Sequence, residues 1–379
     1  MEVYFDNSAT TKPYDEVIEA VASTMKNHYG NPSSAHKLGL AAEQKMNESR
    51  EILAGTINCS KDEIIFTSGG SESNNLLIKG FVKPGNHIIT TKIEHPSVLN
   101  TFKYLEDKGI KVTYLEVTPK QGIDLEELEK SIDKDTVIVS IMHVNNEIGL
   151  VQDIEKVGKL IKEKSSRVKF HVDAVQSYGK YKIDVQKSKI DLLTTSGHKI
   201  HGPKGVGFAY VRKGLLPESI ICGGGQEKGF RSGTENLPAI VGFGVAAKKI
   251  YKNIEVNFTK IKDLKEHFIN QLSVLTGIKI NSPITDNYTP YILNISFAGV
   301  KSEVLLHTLE DDGIYVSSGS ACSAKDTKES HVLKAINLNS KEINGTIRFS
   351  FDENNTIEEV DYVVESLKKS LLFLRRLNK

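Results

Sequence analysis

The stretch Thr194-Thr195-Ser196-Gly197-His198-Lys199-Ile200-His201-Gly202-Pro203-Lys204-Gly205 follows directly on an apolar run, Ile190-Asp191-Leu192-Leu193. The run has the length of a buried strand, and the Gly, Pro and polar residues after it end that strand. A lysine just past a buried strand, between His198 and a Gly-Pro turn, is positioned rather than merely solvated. An amine held in such a place is suited to condense with an aldehyde.

Outward from this strand the same pattern repeats. Residues 64–66, 87–90, 111–117, 137–141, 168–172, 190–194 and 206–211 read as strands. Residues 72–81, 97–108, 125–132 and 154–164 show helical apolar spacing. Alternation of this kind predicts an α/β fold, a mostly parallel sheet of seven strands between helices. Ligands of such sheets sit beyond the carboxyl ends of the strands, in the loops that follow.

The flanks read differently. Residues 1–11 form an arm with a strand-like Val3-Tyr4-Phe5, and 14–25 and 38–57 are helical. After the Gly-rich stretch 222–234 a long helix is predicted over 237–275. A strand at 292–297, a helix at 302–309, a strand at 346–351 and a last helix make a smaller α+β unit. The expected division is an arm at 1–13 packing with the small domain, a large domain at 14–255 and a small C-terminal domain at 256–379.

A chain of 379 residues suits two domains rather than one small core. A formal net charge of +1 without single-sign blocks argues against nucleic-acid and membrane-surface partners. No apolar run is long enough to span a bilayer. The N-terminus lacks the basic-then-apolar pattern of a signal peptide, so a cytoplasmic location is expected. Cys59, Cys222 and Cys322 are too sparse for a disulfide framework and lack metal-site spacing; no metal is expected.

Several strand ends carry chemistry. Thr67-Ser68-Gly69-Gly70-Ser71-Glu72-Ser73-Asn74 joins a strand to a helix. Its glycines free backbone N–H groups for an anion at a helix N-terminus, a phosphate cup; the plain alternative is a turn with Ser71 as N-cap. Asp173, in His171-Val172-Asp173-Ala174-Val175-Gln176, ends another strand. A carboxylate there either caps the next helix or pairs with a cation, and the protonated ring nitrogen of pyridoxal phosphate is such a cation. His95 after the 87–90 strand can stack on a ring and move protons, or be structural. Asn145 either binds a carboxylate or ring oxygen or shapes a turn. Arg348 alternates within a β-type run, so it faces solvent or, if buried, an anion such as a substrate carboxylate. Ser317-Ser318-Gly319-Ser320-Ala321-Cys322 has no apolar anchor, so the sequence predicts an exposed, nucleophilic thiol there. Cys222, beside the Gly-rich stretch, is the fallback.

These pieces together resemble the cysteine desulfurases, pyridoxal phosphate enzymes of the fold-type I, class V aminotransferase group. The resemblance also rests on Phe5-Asp6-Asn7-Ser8-Ala9-Thr10-Thr11, His143-Val144-Asn145-Asn146-Glu147-Ile148-Gly149, Arg231-Ser232-Gly233-Thr234 and Ile347-Arg348-Phe349-Ser350, in family order along nearly the whole chain. It implies that Lys199 carries the pyridoxal 5'-phosphate Schiff base, Asp173 pairs with the ring nitrogen, Gln176 contacts the ring oxygen and His95 stacks on the ring. Gly70, Ser71, Ser196, His198 and Thr234 would hold the phosphate, Thr234 from the other subunit of a homodimer. Asn145 and Arg348 would hold the carboxylate of L-cysteine. Cys322 would take its sulfur as a persulfide, leaving alanine, and pass it to an acceptor protein for iron–sulfur cluster assembly or for tRNA or cofactor thiolation. The alternatives are a selenocysteine lyase and another class V transaminase.

Overall fold

In the computed structural model, which describes residues 1–318 and 329–377, the strand before the opening stretch lies inside a seven-stranded sheet. The order is Ile64–Thr67, Gly207–Val211, Leu192–Thr194, Lys169–Asp173, Thr136–Met142, His87–Thr91, Lys111–Leu115. All run parallel except Gly207–Val211, which is antiparallel to both neighbours. Six of the seven strands are fully buried or nearly so, which is why they read as continuous apolar runs rather than alternating ones. The carboxyl ends of five parallel strands, at Thr67, Thr91, Met142, Asp173 and Thr194, open onto one edge.

A second core is built on an antiparallel sheet, Ile278–Ile280, Ile292–Phe297, Thr346–Ser350 and Ser317–Ser318. Ile347 and Phe349 point into that core with Phe268, Leu264 and Val363. Period-two alternation therefore turns Arg348 to the opposite face. The arm belongs to the same core: Val3–Tyr4 pairs in parallel with Ile314–Tyr315, and Phe5 stacks edge-on against Phe351 at 5.0 Å.

Three local readings need correction. The helix predicted over 237–275 is two helices, Leu237–Lys252 and Ile254–Leu272, broken at Asn253 (φ −119°, ψ 12°). The first buries its apolar face in the large core and the second in the small one, so the axis changes where the chain leaves one core for the other. The strand predicted over 111–117 ends at Leu115, and Val117–Thr118 pairs instead with Gly122–Ile123. Ser71 is no cap: the helix is Gly70–Lys79 and its N-cap is Gly69, at φ 145°, a conformation closed to residues with a Cβ. No helix among the described residues is long and apolar enough to cross a membrane.

Candidate active site

A cavity of about 290 Å³ lies at the shared strand edge, near the lower end of small-molecule sites (roughly 300–1,000 Å³). Of the residues expected at a site, Gly70, Ser71, His95, Asp173, Gln176, Ser196, His198, Lys199 and Arg348 line it. The main-chain arm contributes Ser8 and Ala9.

Lys199 ends a single 3-10 turn, Gly197–Lys199, after the strand Leu192–Thr194. Its Nζ donates to the carbonyls of Ser8 (2.5 Å) and Ala9 (2.8 Å). Ser8 O also accepts from Gln176 Nε2 at 3.0 Å, while Gln176 Oε1 accepts from the buried Lys180 Nζ at 3.3 Å. The lysine fixes which end of the Gln176 amide points where, because only the oxygen can face an ammonium. Burial, helped by Lys199 and Arg348, pulls Lys180 down to about 7.

Asp173, 4% exposed, takes hydrogen bonds from Asn74 Nδ2 (2.9 Å) and Val175 N (3.0 Å), both neutral donors. His95 caps the helix Pro96–Glu106 through its ring: Nδ1 accepts Ser97 N–H at 3.1 Å. Burial lowers its affinity for a proton, Asp173 opposes this, and Lys199 and His331 add to it. His198 is held at about 4, first by burial and then by Lys199 and Lys204, with Nδ1 3.1 Å from Thr10 Oγ1. Both shifts favour the neutral ring.

Arg348 is buried, not on a solvent face. Its Nη1 donates to Asn146 O (2.8 Å) and Nη2 to Asp6 Oδ1 (2.8 Å) and Ser317 Oγ (3.1 Å). Its Nε is buried with no hydrogen-bond partner among the described residues. Asn145 does not line the cavity. Its Nδ2 donates to Ile93 O (2.8 Å) and its Oδ1 accepts from Glu147 N and Ile148 N (2.9 Å each), so it shapes the turn that delivers Asn146. Thr234 is exposed and lines a separate hollow with Glu227, Arg231 and Glu235. Cys322 lies outside the described residues. Cys222 is exposed, and Cys59 is half-buried with its thiol pushed up to about 12 by burial.

Asn74, Ser97 and the Ser8 and Ala9 carbonyls belong to the site but were not singled out by the sequence. One signal was available for Asn74. It stands four residues after Gly70, on the same face of the helix, so a phosphate cup at Gly70 implies Asn74 beside it.

The donor set fits pyridoxal phosphate. A helix N-terminus at Gly70–Ser71, with the Ser196 and His198 side chains nearby on the wall, is suited to a phosphate. Asp173, buried between neutral donors, suits a ring N–H⁺, and the amine of Lys199 suits an aldehyde. The unmatched Arg348 Nε suits a carboxylate.

Comparison with known proteins agrees with the geometry. The family model described as Aminotransferase class-V matches residues 3–363. The chain is 44% identical to "Cysteine desulfurase IscS" of Vibrio vulnificus, over 99% of this chain and 94% of that protein. Among solved structures it is similar to a "NIFS-LIKE PROTEIN" (40% identity, TM-score 0.92, 98% of this chain and 100% of that one). It is also similar to "SspA in complex with cysteine" (37% identity, TM-score 0.82, 93% and 99%). The seven-stranded mixed sheet, the lysine at its edge and these full-length matches have one reading: the chain belongs to the class-V aminotransferase family, among its IscS/NifS-like cysteine desulfurases.

Proposed function

We propose that the chain uses pyridoxal 5'-phosphate, bound through Lys199, to convert L-cysteine to L-alanine while Cys322 takes the sulfur as a persulfide. The observation that carries this reading is the convergence of Lys199, Asp173, the Gly70 helix end and the Arg348 guanidinium on one cavity. Pyridoxal phosphate, when bound, supplies an aldehyde for the substrate amine and a ring that draws electron density away from it.

The chain's own residues do the rest. Asp173 holds the ring nitrogen's proton, Gln176 faces the ring oxygen, and His95 stacks on the ring. Gly70, Ser71, Ser196 and His198 hold the phosphate, with Thr234 added from a second copy in a homodimer. Arg348 binds the substrate carboxylate, and Asn145 acts on it through the turn that presents Asn146 O to the guanidinium. Lys199 Nζ takes the proton from the substrate Cα and returns it. The Cys322 thiolate attacks the substrate Sγ; a sulfur–sulfur bond forms as Cβ–Sγ breaks, and the bond pair left at Cβ takes up a proton. Substrate and thiol give alanine and persulfide, so no outside oxidant or reductant is needed. The persulfide sulfur then passes to an acceptor protein serving iron–sulfur clusters, tRNA or cofactor thiolation. In this reading residues 1–13 are an arm, 14–255 the cofactor domain and 256–379 the domain that brings the thiol.

The test is Cys322→Ser. The variant should bind cofactor and cysteine as judged by absorbance, yet release almost no alanine. Persulfide labelling of the wild type should fall on the Cys322 peptide. Wild-type alanine production by the variant, or a persulfide on Cys222, overturns the assignment.

A further inference from the structure

The His95 ring ends a directed run of hydrogen bonds that starts at Asp173. Asp173 Oδ2 accepts from Asn74 Nδ2 at 2.9 Å, and the same nitrogen donates to Ser97 Oγ at 2.8 Å. Ser97 Oγ lies 2.8 Å from His95 Nδ1, which also accepts Ser97 N–H at 3.1 Å. The direction of the run is chemically forced. A carboxylate only accepts, so the nitrogen end of the Asn74 amide must face Asp173. Both protons of that nitrogen are then committed, one to Asp173 and one to Ser97. Because Nδ1 already accepts the Ser97 N–H it carries no proton of its own, so Ser97 Oγ gives its single proton to the ring. Nδ1 thus meets two donors and no acceptor.

Asn74 is fully buried, and its Oδ1 has no hydrogen-bond partner among the described residues. Rotating the amide would set that oxygen against the carboxylate, so the run has no low-cost reversed form.

We propose that Asn74 and Ser97 are positioning residues that fix the tautomer of His95, keeping the proton of the neutral ring on Nε2 and Nδ1 an acceptor. The inference concerns this chain's own residues, and it rests on the desulfurase reading only for its catalytic consequence. A ring so held exchanges protons through Nε2 alone, donating before it can accept. The charged groups that face it are Asp173 from the strand Lys169–Asp173, Lys199 from the turn after Leu192–Thr194, and His331 from the helix His331–Ala335. Asp173 favours a protonated ring and the other two oppose it, so the hydrogen-bond run decides where the neutral ring keeps its proton, and these charges set only when it gains a second.

The experiment is a long-range proton–nitrogen correlation spectrum of the holoenzyme carrying isotope-labelled histidine. The His95 signals are assigned by their loss in His95→Gln. The wild-type ring should show the Nε2–H tautomer near neutral pH. Ser97→Ala removes one of the two donors to Nδ1, and its ring midpoint should rise by about one pH unit, the worth of roughly one hydrogen bond. Asn74→Asp reverses the run and should raise it further, with Nδ1–H appearing in the neutral ring. Ser97→Thr keeps the hydroxyl and should titrate like the wild type, which a purely structural role of Ser97 would not require. A neutral wild-type ring protonated on Nδ1, or a Ser97→Ala midpoint equal to that of the wild type, overturns the proposal. If Asn74→Asp does not fold, the two Ser97 variants decide alone. Should adding pyridoxal phosphate to the cofactor-free protein leave the His95 signals unmoved, the ring-stacking role fails while the tautomer result stands.

Discussion

Arg348 and Asp6 form a partly buried ion pair, Nη2 to Oδ1 at 2.8 Å, that ties the strand Thr346–Ser350 of the small sheet to the N-terminal arm. The pair holds the guanidinium plane while Nη1 is anchored on Asn146 O, and Nε has no hydrogen-bond partner among the described residues. Arg348→Ala should weaken cysteine binding by an amount on the order of 2–5 kcal/mol, read from a spectral titration of the holoenzyme. Arg348→Lys should recover little of this, because a single ammonium cannot meet Asn146, Asp6 and a substrate at once. An unchanged affinity in the alanine variant would remove Arg348 from the site.

Two lysines share the central stretch, and they line different hollows. Lys199 walls the cavity with Asp173, whereas Lys204 is exposed and lines a separate one with Lys12, Asp15 and Lys249. Borohydride reduction of the holoenzyme and peptide mapping should place the pyridoxyl label on Lys199. Label on Lys204 would refute the assignment.

Thr234 sits outside the cavity of its own chain. If it serves a second copy, mixing inactive Lys199→Ala chains with inactive Thr234→Ala chains should regenerate one intact site per hybrid dimer. Activity of the mixture no higher than that of either parent would count against a shared site.

His201 links three parts of the chain. It stacks on Tyr14 (4.4 Å between ring centroids), gives Nδ1 to Lys12 O at 2.8 Å and brings Nε2 within 3.4 Å of Glu353 Oε2. Tyr14 OH donates to the other oxygen of Glu353. Burial acts against the His201 charge, yet the Glu353 hydrogen bond and the Glu353 and Asp352 charges raise its pKa above 6.5. Burial likewise opposes the Glu353 charge, but His201 and Tyr14 hold it at about 2. A raised histidine contributes its full stability below its unfolded value and loses it as pH rises through the folded one; a depressed glutamate contributes above its unfolded value of 4.5 and loses it as pH falls toward 2. The urea midpoint should therefore decline as pH rises above 6.5, and this decline should vanish in His201→Asn. Asparagine suits the test because His201 has φ 63°. Glu353→Gln should cost about 3 kcal/mol, the low end for breaking a buried pair. A wild-type decline that persists in His201→Asn would assign it to another group.

How much of this could be read in the sequence depended on which contacts were local. Asp173 ends one strand and Lys199 closes the turn after another, and both apolar runs are unmistakable, so their place at the sheet edge followed from the runs. Asn145 and Asn146 are neighbours in one turn, and only the register of that turn decides that Asn146 borders the cavity while Asn145 is consumed behind it. Asn74 looks like any polar residue on a helix until Ser97 is brought to it from a neighbouring helix and Asp173 from a strand end. The break at Asn253 has no Gly or Pro to announce it, because it is caused by a change of core rather than by a local preference. Burial of Arg348 was undecidable from alternation, since both faces of its strand are covered.

The arm has a consequence for the order in which the protein is made. Ser8, whose carbonyl receives Lys199, donates its own N–H to Ser350 Oγ at 2.8 Å, and Asn7 Nδ2 bonds Ser350 O at 3.1 Å. The arm is thus seated in part by a residue 342 positions further along the chain. Until Ser350 has emerged, the arm has Gln176 and His198 to hold it but not the small sheet, so a nascent chain can build its large sheet before the seating of Ser8 and Ala9 is complete. Protease sensitivity of the arm in a chain stopped before Thr346, and protection in the full-length chain, would report that delay.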